Sequence, residues 1–102
     1  MSHAETTRIR ILLADDHGVV RAGLRALLET EADMMVVAEA EDGDSAVRLA
    51  AEHRPNIVIA DLSMPSGGMS TISRITGLEL GIRVLVLTVH AEERYLLPVL
   101  EA

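Results

Sequence analysis

The sequence contains no cysteine, tryptophan, phenylalanine or lysine, and Tyr95 is its single aromatic residue. Without cysteine, disulfide frameworks, thiolate catalysis and cysteine-ligated metal sites are excluded. Without large aromatic side chains, the core must be built from aliphatic residues. The apolar runs are short, such as Val84-Leu85-Val86-Leu87, whereas a membrane-spanning helix needs about 20 apolar residues. The sequence therefore predicts no membrane span and no membrane partner.

Basic residues are also scarce, since nine arginines stand against 16 acidic residues and give a net charge of -7. This balance argues against binding of nucleic acid or of an anionic membrane by these residues themselves. A length of 102 residues is enough for one domain with one core. Residues 1–7 are polar and lack the basic start and apolar stretch of a secretory signal, so we expect a flexible N-terminal tail.

Short apolar runs alternate with segments of helical periodicity, which predicts the order β-α-β-α-β-α-β-α. Apolar strands separated by helices are typical of an α/β fold with a doubly wound parallel sheet covered on both faces. Asp44 or Ser45 is the expected cap of the second helix. The predicted strands cover residues 8–14, 35–39, 57–60 and 83–87, and the predicted helices cover about 19–29, 45–53, 70–78 and 91–102.

Polar residues follow three of the four predicted strands: Asp15-Asp16, Asp61 and Thr88. In doubly wound sheets, ligands bind at the carboxyl ends of the strands, so we expect these side chains to converge. Neighbouring carboxylates repel one another unless a cation neutralises them. An all-oxygen donor set without cysteine favours a hard ion such as Mg²⁺ over Zn²⁺. Such a site suits phosphoryl transfer, in which an aspartate can itself be the nucleophile.

Three motifs in order resemble the receiver domains of two-component response regulators: LLADDH at residues 12–17, DLSMP at 61–65 and LT at 87–88. The wider pattern at residues 36–40 (VVAEA) and 88–93 (TVHAEE) is similar to the NarL/FixJ (LuxR-type) subfamily. The resemblance implies a flavodoxin-like (βα)5 receiver fold over residues 8–102, with strand order 2-1-3-4-5 and the fifth βα unit missing.

The same resemblance implies a role for each matching residue. Asp61 is the implied phosphoacceptor. The implied Mg²⁺ ligands are Asp15, Asp16, Asp61 and the backbone carbonyl of Ser63. The implied phosphate-binding groups are the hydroxyl of Thr88 and the backbone N–H groups of Leu62 and Val89. The lysine that the family places beyond the fifth strand has no counterpart here, because the chain contains no lysine.

The resemblance also implies partners and a location. The phosphoryl donor is expected to be a sensor histidine kinase in the cytoplasm, and DNA is expected to be contacted only through an output domain outside this chain. The protein is expected to be a switch that catalyses its own phosphorylation and dephosphorylation, not a dedicated enzyme. Without a fifth strand, residues 83–87 form an open apolar edge, so we expect a homodimer, a domain-swapped oligomer or marginal stability.

The residues also bear on two other functions. Phosphohydrolases of the haloacid-dehalogenase type place a second aspartate two residues after the nucleophile, where this chain has Ser63, and they need a lysine that the chain lacks. A receiver that cannot be phosphorylated and acts only as an interaction module stays open. His17 and His90 flank the expected site and are interpreted as exposed loop histidines.

Overall fold

The computed structural model describes residues 8–87 in full, and beyond them only the backbone of three two-residue strands. Its elements follow the predicted alternation of strand and helix closely as far as residue 87. They are β1 (Ile9–Ala14), α1 (Gly18–Leu28), β2 (Met34–Ala40), α2 (Gly43–His53), β3 (Ile57–Asp61), α3 (Met69–Thr76), β4 (Arg83–Leu87), β5 (Val89–His90), β6 (Tyr95–Leu96) and β7 (Leu100–Glu101).

The main sheet has the strand order β2-β1-β3-β4-β7, and its first four strands are parallel. Parallel neighbours need a crossover connection, which α1, α2 and α3 supply. The order reverses direction between β1 and β3, so the carboxyl ends of these two strands flank the point where a doubly wound sheet binds its ligands. The predicted α/β class and the doubly wound parallel sheet are confirmed.

Apolar side chains from alternating strand positions form one core on each face of the sheet. The larger core lies with α2 and α3 and includes Leu12, Val58, Val84 and Ile75, all essentially inaccessible to water. Burying each such side chain contributes about 1.5–3 kcal/mol relative to exposure. The smaller core contains Ile11, Leu13 and Val36, with partly buried side chains packed against it that include Leu24 and Leu28 of α1.

Helix α1 covers its face of the sheet only partly. None of its residues is fully buried, and Leu27 is 69% exposed. Ile57 and Ile59 of β3 also remain only partly buried on this face. The apolar residues of α1 that pack on the sheet, Leu24 and Leu28, thus leave this face partly accessible.

The cap of α2 lies two to three residues earlier than expected. Asp42, and not Asp44 or Ser45, has the extended backbone of an N-cap, and its side chain accepts a hydrogen bond of 2.7 Å from the backbone N–H of Ser45. Both predicted caps lie inside the helix, where Asp44 occupies the first turn. An acidic residue there is favourable because it faces the positive end of the helix dipole.

The predicted helix over residues 91–102 is wrong wherever the structure describes this segment. Tyr95–Leu96 and Leu100–Glu101 are strands, and β7 pairs antiparallel with β4 through Val86↔Leu100 and Leu85↔Glu101. For β7 the physical reason is the edge of β4, where the backbone of Leu85 and Val86 pairs with another extended segment. The expected open edge at residues 83–87 is accordingly paired over part of its length. The predicted tail, residues 1–7, and the rest of the predicted helix lie outside the described residues.

No helix in the described part of the chain is both long enough and apolar enough to span a membrane.

Candidate functional site

Neighbouring strand ends place two aspartates side by side. Strands β1 and β3 pair in parallel with Ala14 opposite Ala60, so the following residues, Asp15 and Asp61, emerge next to each other at the same sheet edge. Asp16 continues the loop after β1. The backbone N–H of Asp15 also donates to the carbonyl of Ala40 at 2.9 Å, which anchors the loop to β2. Pairing of the strands thus brings the three carboxylates together, as the sequence predicts.

The imidazole of His17 lies in the middle of these carboxylates. Its Nδ1 atom is 2.9 Å from Oδ1 of Asp15, 3.1 Å from Oδ1 of Asp16 and 3.5 Å from Oδ2 of Asp61. One ligand atom from each of the four residues lies within 4.8 Å of every other. The four side chains therefore form one cluster, which we call the acidic pocket.

Two of the carboxylates in the acidic pocket are almost fully removed from water. The side chains of Asp15 and Asp61 are each 3% exposed, whereas that of Asp16 is 31% exposed. Within the described residues, Oδ2 of Asp15 is buried and has no hydrogen-bond partner. A buried carboxylate oxygen without a partner is costly, and a bound cation would satisfy it. The donor set therefore fits a divalent metal ion.

His17 responds electrostatically to its surroundings. The hydrogen bond to Asp15 is the largest influence and raises the pKa of His17, while desolvation lowers it and the charges of Asp16, Asp15 and Asp61 raise it further. The backbone N–H of His17 also donates to Oδ1 of Asp15 at 2.7 Å. This bond holds the backbone of His17 beside the pocket. His17 is an exposed loop residue, as the sequence predicts, with 52% of its side chain accessible, but its ring nitrogen also contacts the carboxylates of the acidic pocket.

Asp61 is held by the residue two positions after it. The backbone N–H of Ser63 donates to Oδ1 of Asp61 at 3.1 Å, and the Ser63 hydroxyl donates to Oδ2 at 2.9 Å. These bonds orient the carboxylate at the end of β3. The N–H and hydroxyl of Ser63 are thus engaged with Asp61, and the role of its backbone carbonyl as a metal ligand stays a prediction.

Arg21 connects the loop after β1 to the rest of the fold. Its Nη1 atom donates to the backbone carbonyl of Asp15 at 2.6 Å, and its Nε donates to Oε1 of Glu39 at 2.6 Å. Arg25 donates to the other oxygen of Glu39. Burial acts to raise the pKa of Glu39, but the hydrogen bonds from both arginines outweigh it and lower that pKa. Helix α1 and strand β2 are in this way tied to the backbone of the acidic pocket.

The loop after Asp61 packs tightly against the start of α2. The backbone N–H of Gly43 donates to the carbonyl of Pro65 at 2.9 Å, and a Cβ atom at Gly43 would lie only 1.6 Å from the carbonyl oxygen of Ser66. Thr71 is buried and donates its hydroxyl to the same Ser66 oxygen at 3.0 Å. Only glycine at position 43 allows this approach.

The sequence-predicted residues meet different outcomes. Asp15, Asp16 and Asp61 lie together, and Leu62 follows Asp61 directly with its side chain half-buried. Val89 is described only as backbone of β5, and Thr88 lies outside the described residues. Sequence reasoning missed the contacts of His17 and Arg21. The available signal was their position, directly after the Asp15-Asp16 pair and one helical turn beyond it.

The family model for the response regulator receiver domain matches residues 11–102. The chain belongs to this family. The predicted resemblance is thereby confirmed, including its NarL/LuxR-type character. Oxygen regulatory protein NreC from Staphylococcus epidermidis is 43% identical over 96 residues, which cover 92% of this chain and 44% of NreC. The chain thus spans less than half the length of this curated relative.

Solved structures agree with this assignment. A LuxR-family two-component response regulator from Aurantimonas sp. SI85-9A1 superimposes with a TM-score of 0.76 at 42% identity, covering 81% of this chain and 60% of that one. RcsB from Salmonella enterica serovar Typhimurium, bound to promoter P1flhDC in the presence of the phosphomimetic BeF3-, gives a TM-score of 0.73 at 30% identity, covering 79% of this chain and 42% of that one. This chain is thus similar in sequence and in fold to both of these response regulators.

Proposed function

We propose that the chain is the phosphorylated switch of a two-component response regulator, with Asp61 as the residue that accepts the phosphoryl group from a sensor histidine kinase. The observation that carries this proposal is the acidic pocket, in which Asp61 is buried beside Asp15 and Asp16 and one buried oxygen has no partner among the described residues. Asp15, Asp16, Asp61 and the carbonyl of Ser63 are the proposed ligands of Mg²⁺.

The proposed reaction is a transfer between two side chains. An oxygen of the Asp61 carboxylate attacks the phosphorus of the kinase phosphohistidine, a new O–P bond forms, and the N–P bond breaks with its electron pair returning to the imidazole. Mg²⁺, when bound, supplies positive charge that neutralises the carboxylates and the incoming phosphoryl oxygens. Ser63 keeps the attacking carboxylate oriented through its hydrogen bonds to both oxygens.

The phosphoryl group then needs partners of its own. We propose that the backbone N–H groups of Leu62 and Val89 and the hydroxyl of Thr88 donate to its oxygens, as the family pattern implies. If the bond to Thr88 forms in only one conformer, phosphorylation shifts the population towards that conformer. A coupling of about 1–3 kcal/mol changes the ratio of conformers roughly 5- to 150-fold.

The output of the switch is proposed to be control of transcription in the cytoplasm. The chain covers 44% of NreC and 42% of the RcsB chain. RcsB is bound to a promoter in the presence of a phosphomimetic. By analogy, a DNA-binding domain in the same longer protein would read the state of Asp61, while the acidic receiver itself stays off the DNA because of its net charge of -7.

Phosphorylation with a small donor tests the proposal. The 102-residue chain is incubated with acetyl phosphate and Mg²⁺, and the covalent adduct is measured by intact-protein mass spectrometry. We expect one phosphoryl adduct in the wild type, no adduct in Asp61→Asn, and a normal adduct in the control Asp33→Asn, whose side chain is exposed outside the pocket. An adduct that persists in Asp61→Asn contradicts the assignment, and no adduct in any variant favours a receiver that acts only as an interaction module.

A further inference from the structure

A cavity lies beside the end of α1 and the start of β2, which we call the α1–β2 cavity. Its volume is about 360 Å³, which is within the range of small-molecule sites. Arg8, which lines it, precedes β1, whereas Asp15 of the acidic pocket follows that strand. The six residues of β1 therefore keep the two sites roughly 20 Å apart.

Hydrogen bonds hold the backbone around the α1–β2 cavity. The N–H of Ile9 donates to the carbonyl of Asp33 at 2.7 Å, which places the preceding residue, Arg8, beside the turn between α1 and β2. In that turn, the N–H of Glu31 donates to the carbonyl of the last residue of α1 at 3.1 Å. The carbonyl of Glu31 accepts from the N–H of Met34 at 3.2 Å. The cavity is therefore formed before a ligand arrives, as is usual for small-molecule sites.

The charged side chains that line the cavity fall into two groups. Arg25 is engaged by Glu39 and by Glu29, whose Oε2 atom lies 3.4 Å from its Nε atom. Arg8 and Glu31 also line the cavity, but neither forms an ion pair with any residue in the described part of the chain. One guanidinium and one carboxylate are thus available to a ligand that carries both a negative and a positive group.

The remaining lining is apolar and comes from the turn and from β2. Ala32 is exposed, Met34 and Met35 are partly buried, and Val36 is buried. An apolar group of the ligand would be removed from water against these side chains. The surface is concave, so it fits a small molecule better than a second copy of the chain, whose corresponding surface is equally concave.

We propose that the α1–β2 cavity binds a free α-amino acid with an apolar side chain. The guanidinium of Arg8 binds its carboxylate, the carboxylate of Glu31 binds its ammonium group, and its side chain packs against Met34 and Val36. This site lies outside the acidic pocket and does not depend on the proposed function. It adds to the receiver a binding site for a small metabolite at the amino end of the sheet.

Titration of the full chain with L-leucine tests the proposal, with binding followed by calorimetry and by NMR of the backbone amides. Each recognised group is removed from the ligand in turn: leucine amide lacks the carboxylate, N-acetyl-leucine lacks the ammonium group, and glycine lacks the apolar side chain. Arg8→Gln and Glu31→Gln remove the two charges from the protein. Arg48→Gln and Glu52→Gln, which change exposed residues of α2, are the matched controls.

We expect L-leucine to bind the wild type, and each altered ligand to bind at least about tenfold more weakly, because each loses a charged hydrogen bond or an apolar contact. Arg8→Gln should weaken the binding of leucine by a similar factor but leave the affinity for leucine amide unchanged, since that ligand has no carboxylate. For the same reason, Glu31→Gln should leave the affinity for N-acetyl-leucine unchanged. Both α2 variants should bind leucine as the wild type does.

Three outcomes would overturn the proposal. They are the absence of leucine binding at millimolar concentration, equal losses in the cavity and α2 variants, and loss of self-association instead of leucine binding in Arg8→Gln and Glu31→Gln. The last result, measured by sedimentation velocity, would assign the cavity to an interface between copies of the chain. Leucine affinity should be the same with and without Mg²⁺, so a failure of the acidic pocket to bind metal is distinguishable from a failure of this site.

Discussion

At the scale of single residues, Gly43 shows how one missing Cβ atom lets two functional segments meet. The loop that follows Asp61 passes so close to the start of α2 that the Ser66 carbonyl would overlap a side chain at position 43. The same carbonyl accepts the hydroxyl of the buried Thr71, so it has little freedom to retreat. Gly43 thus sets the path of the loop beside the phosphoacceptor.

Substitution of two glycines by alanine should therefore have opposite effects. Gly43→Ala should lower the free energy of unfolding by about 1–3 kcal/mol, because an added methyl group is forced into a packed region. The matched control is Gly23→Ala in α1, where the new Cβ would have no atom within 4 Å apart from its chain neighbours and the backbone of its own helix. It should raise that free energy by about 0.5–1 kcal/mol through better helix propensity. Thermal unfolding midpoints of the three proteins measure both effects, and equal shifts of the same sign would contradict this account.

At the scale of elements, the cap of α2 predicts a dependence of stability on pH. The backbone hydrogen bond from Ser45 is the main influence that lowers the pKa of Asp42. A carboxylate whose pKa is lower in the folded state stabilises the fold above its ordinary pKa of about 3.9. That contribution is lost as the pH falls through the folded-state pKa.

Asp42→Asn isolates this contribution, because asparagine also caps helices but carries no charge to titrate. The difference in thermal midpoint between the wild type and Asp42→Asn should move in favour of the variant as the pH falls from neutral to below 4, a range set by the ordinary pKa of about 3.9. Asp42→Ala should be less stable than both at neutral pH. A wild-type-to-asparagine difference that stays constant over this range would show that the charge of Asp42 contributes nothing.

The contacts between α1 and β2 allow a second prediction, which concerns metal binding. Arg21 and Arg25 both bind Glu39, but only Arg21 also donates to the Asp15 carbonyl. Arg21→Ala should weaken Mg²⁺ binding about 10- to 100-fold, as for other residues that orient metal ligands. Arg25→Ala should leave it nearly unchanged. Calorimetric titration with Mg²⁺ measures both affinities. Equal losses of affinity in the two variants would contradict a role for the bond from Arg21 to the Asp15 carbonyl.

At the scale of the whole molecule, the two faces of the sheet are unequally covered. The core shared with α2 and α3 buries Leu12, Val58 and Val84 completely. On the face that α1 covers, Ile57 and Ile59 stay partly accessible and Leu27 is exposed. Strand β7 pairs with Leu85 and Val86 of β4. An exposed apolar side chain on a partly covered face favours contact with a second copy of the chain.

Self-association is accordingly expected, and sedimentation velocity over a wide range of protein concentrations measures it. Leu27→Gln should weaken association because it removes an exposed apolar side chain from the poorly covered face. Met69→Gln, which changes a similarly exposed residue on α3, is the matched control and should not. A monomer at every concentration, with a single cooperative unfolding transition, would refute the expectation.

The sequence by itself determined the alternation of strands and helices, the acidic residues directly after β1 and the acidic residue at the end of β3. It could do so because burial on both faces of a parallel sheet demands continuous apolar runs, and because such a run must end where its strand leaves the core. With the strand order of the family, this information also predicted that Asp15, Asp16 and Asp61 meet. Motifs and strand ends involve residues that are adjacent in the sequence, so they can be recognised without the structure.

Only the tertiary structure decided where His17, Arg21 and the last described strands lie. The ring of His17 contacts its sequence neighbours Asp15 and Asp16 and also Asp61, which a separate strand brings to the pocket, so its full environment depends on the pairing of β1 with β3. Likewise, residues 100–101 carry helical periodicity in sequence but pair with β4, because an unpaired strand edge offers hydrogen bonds that outweigh local preference. The surroundings of a side chain and the pairing of a strand edge depend on residues that are distant in the sequence and close in the fold. For this reason the sequence alone did not predict them.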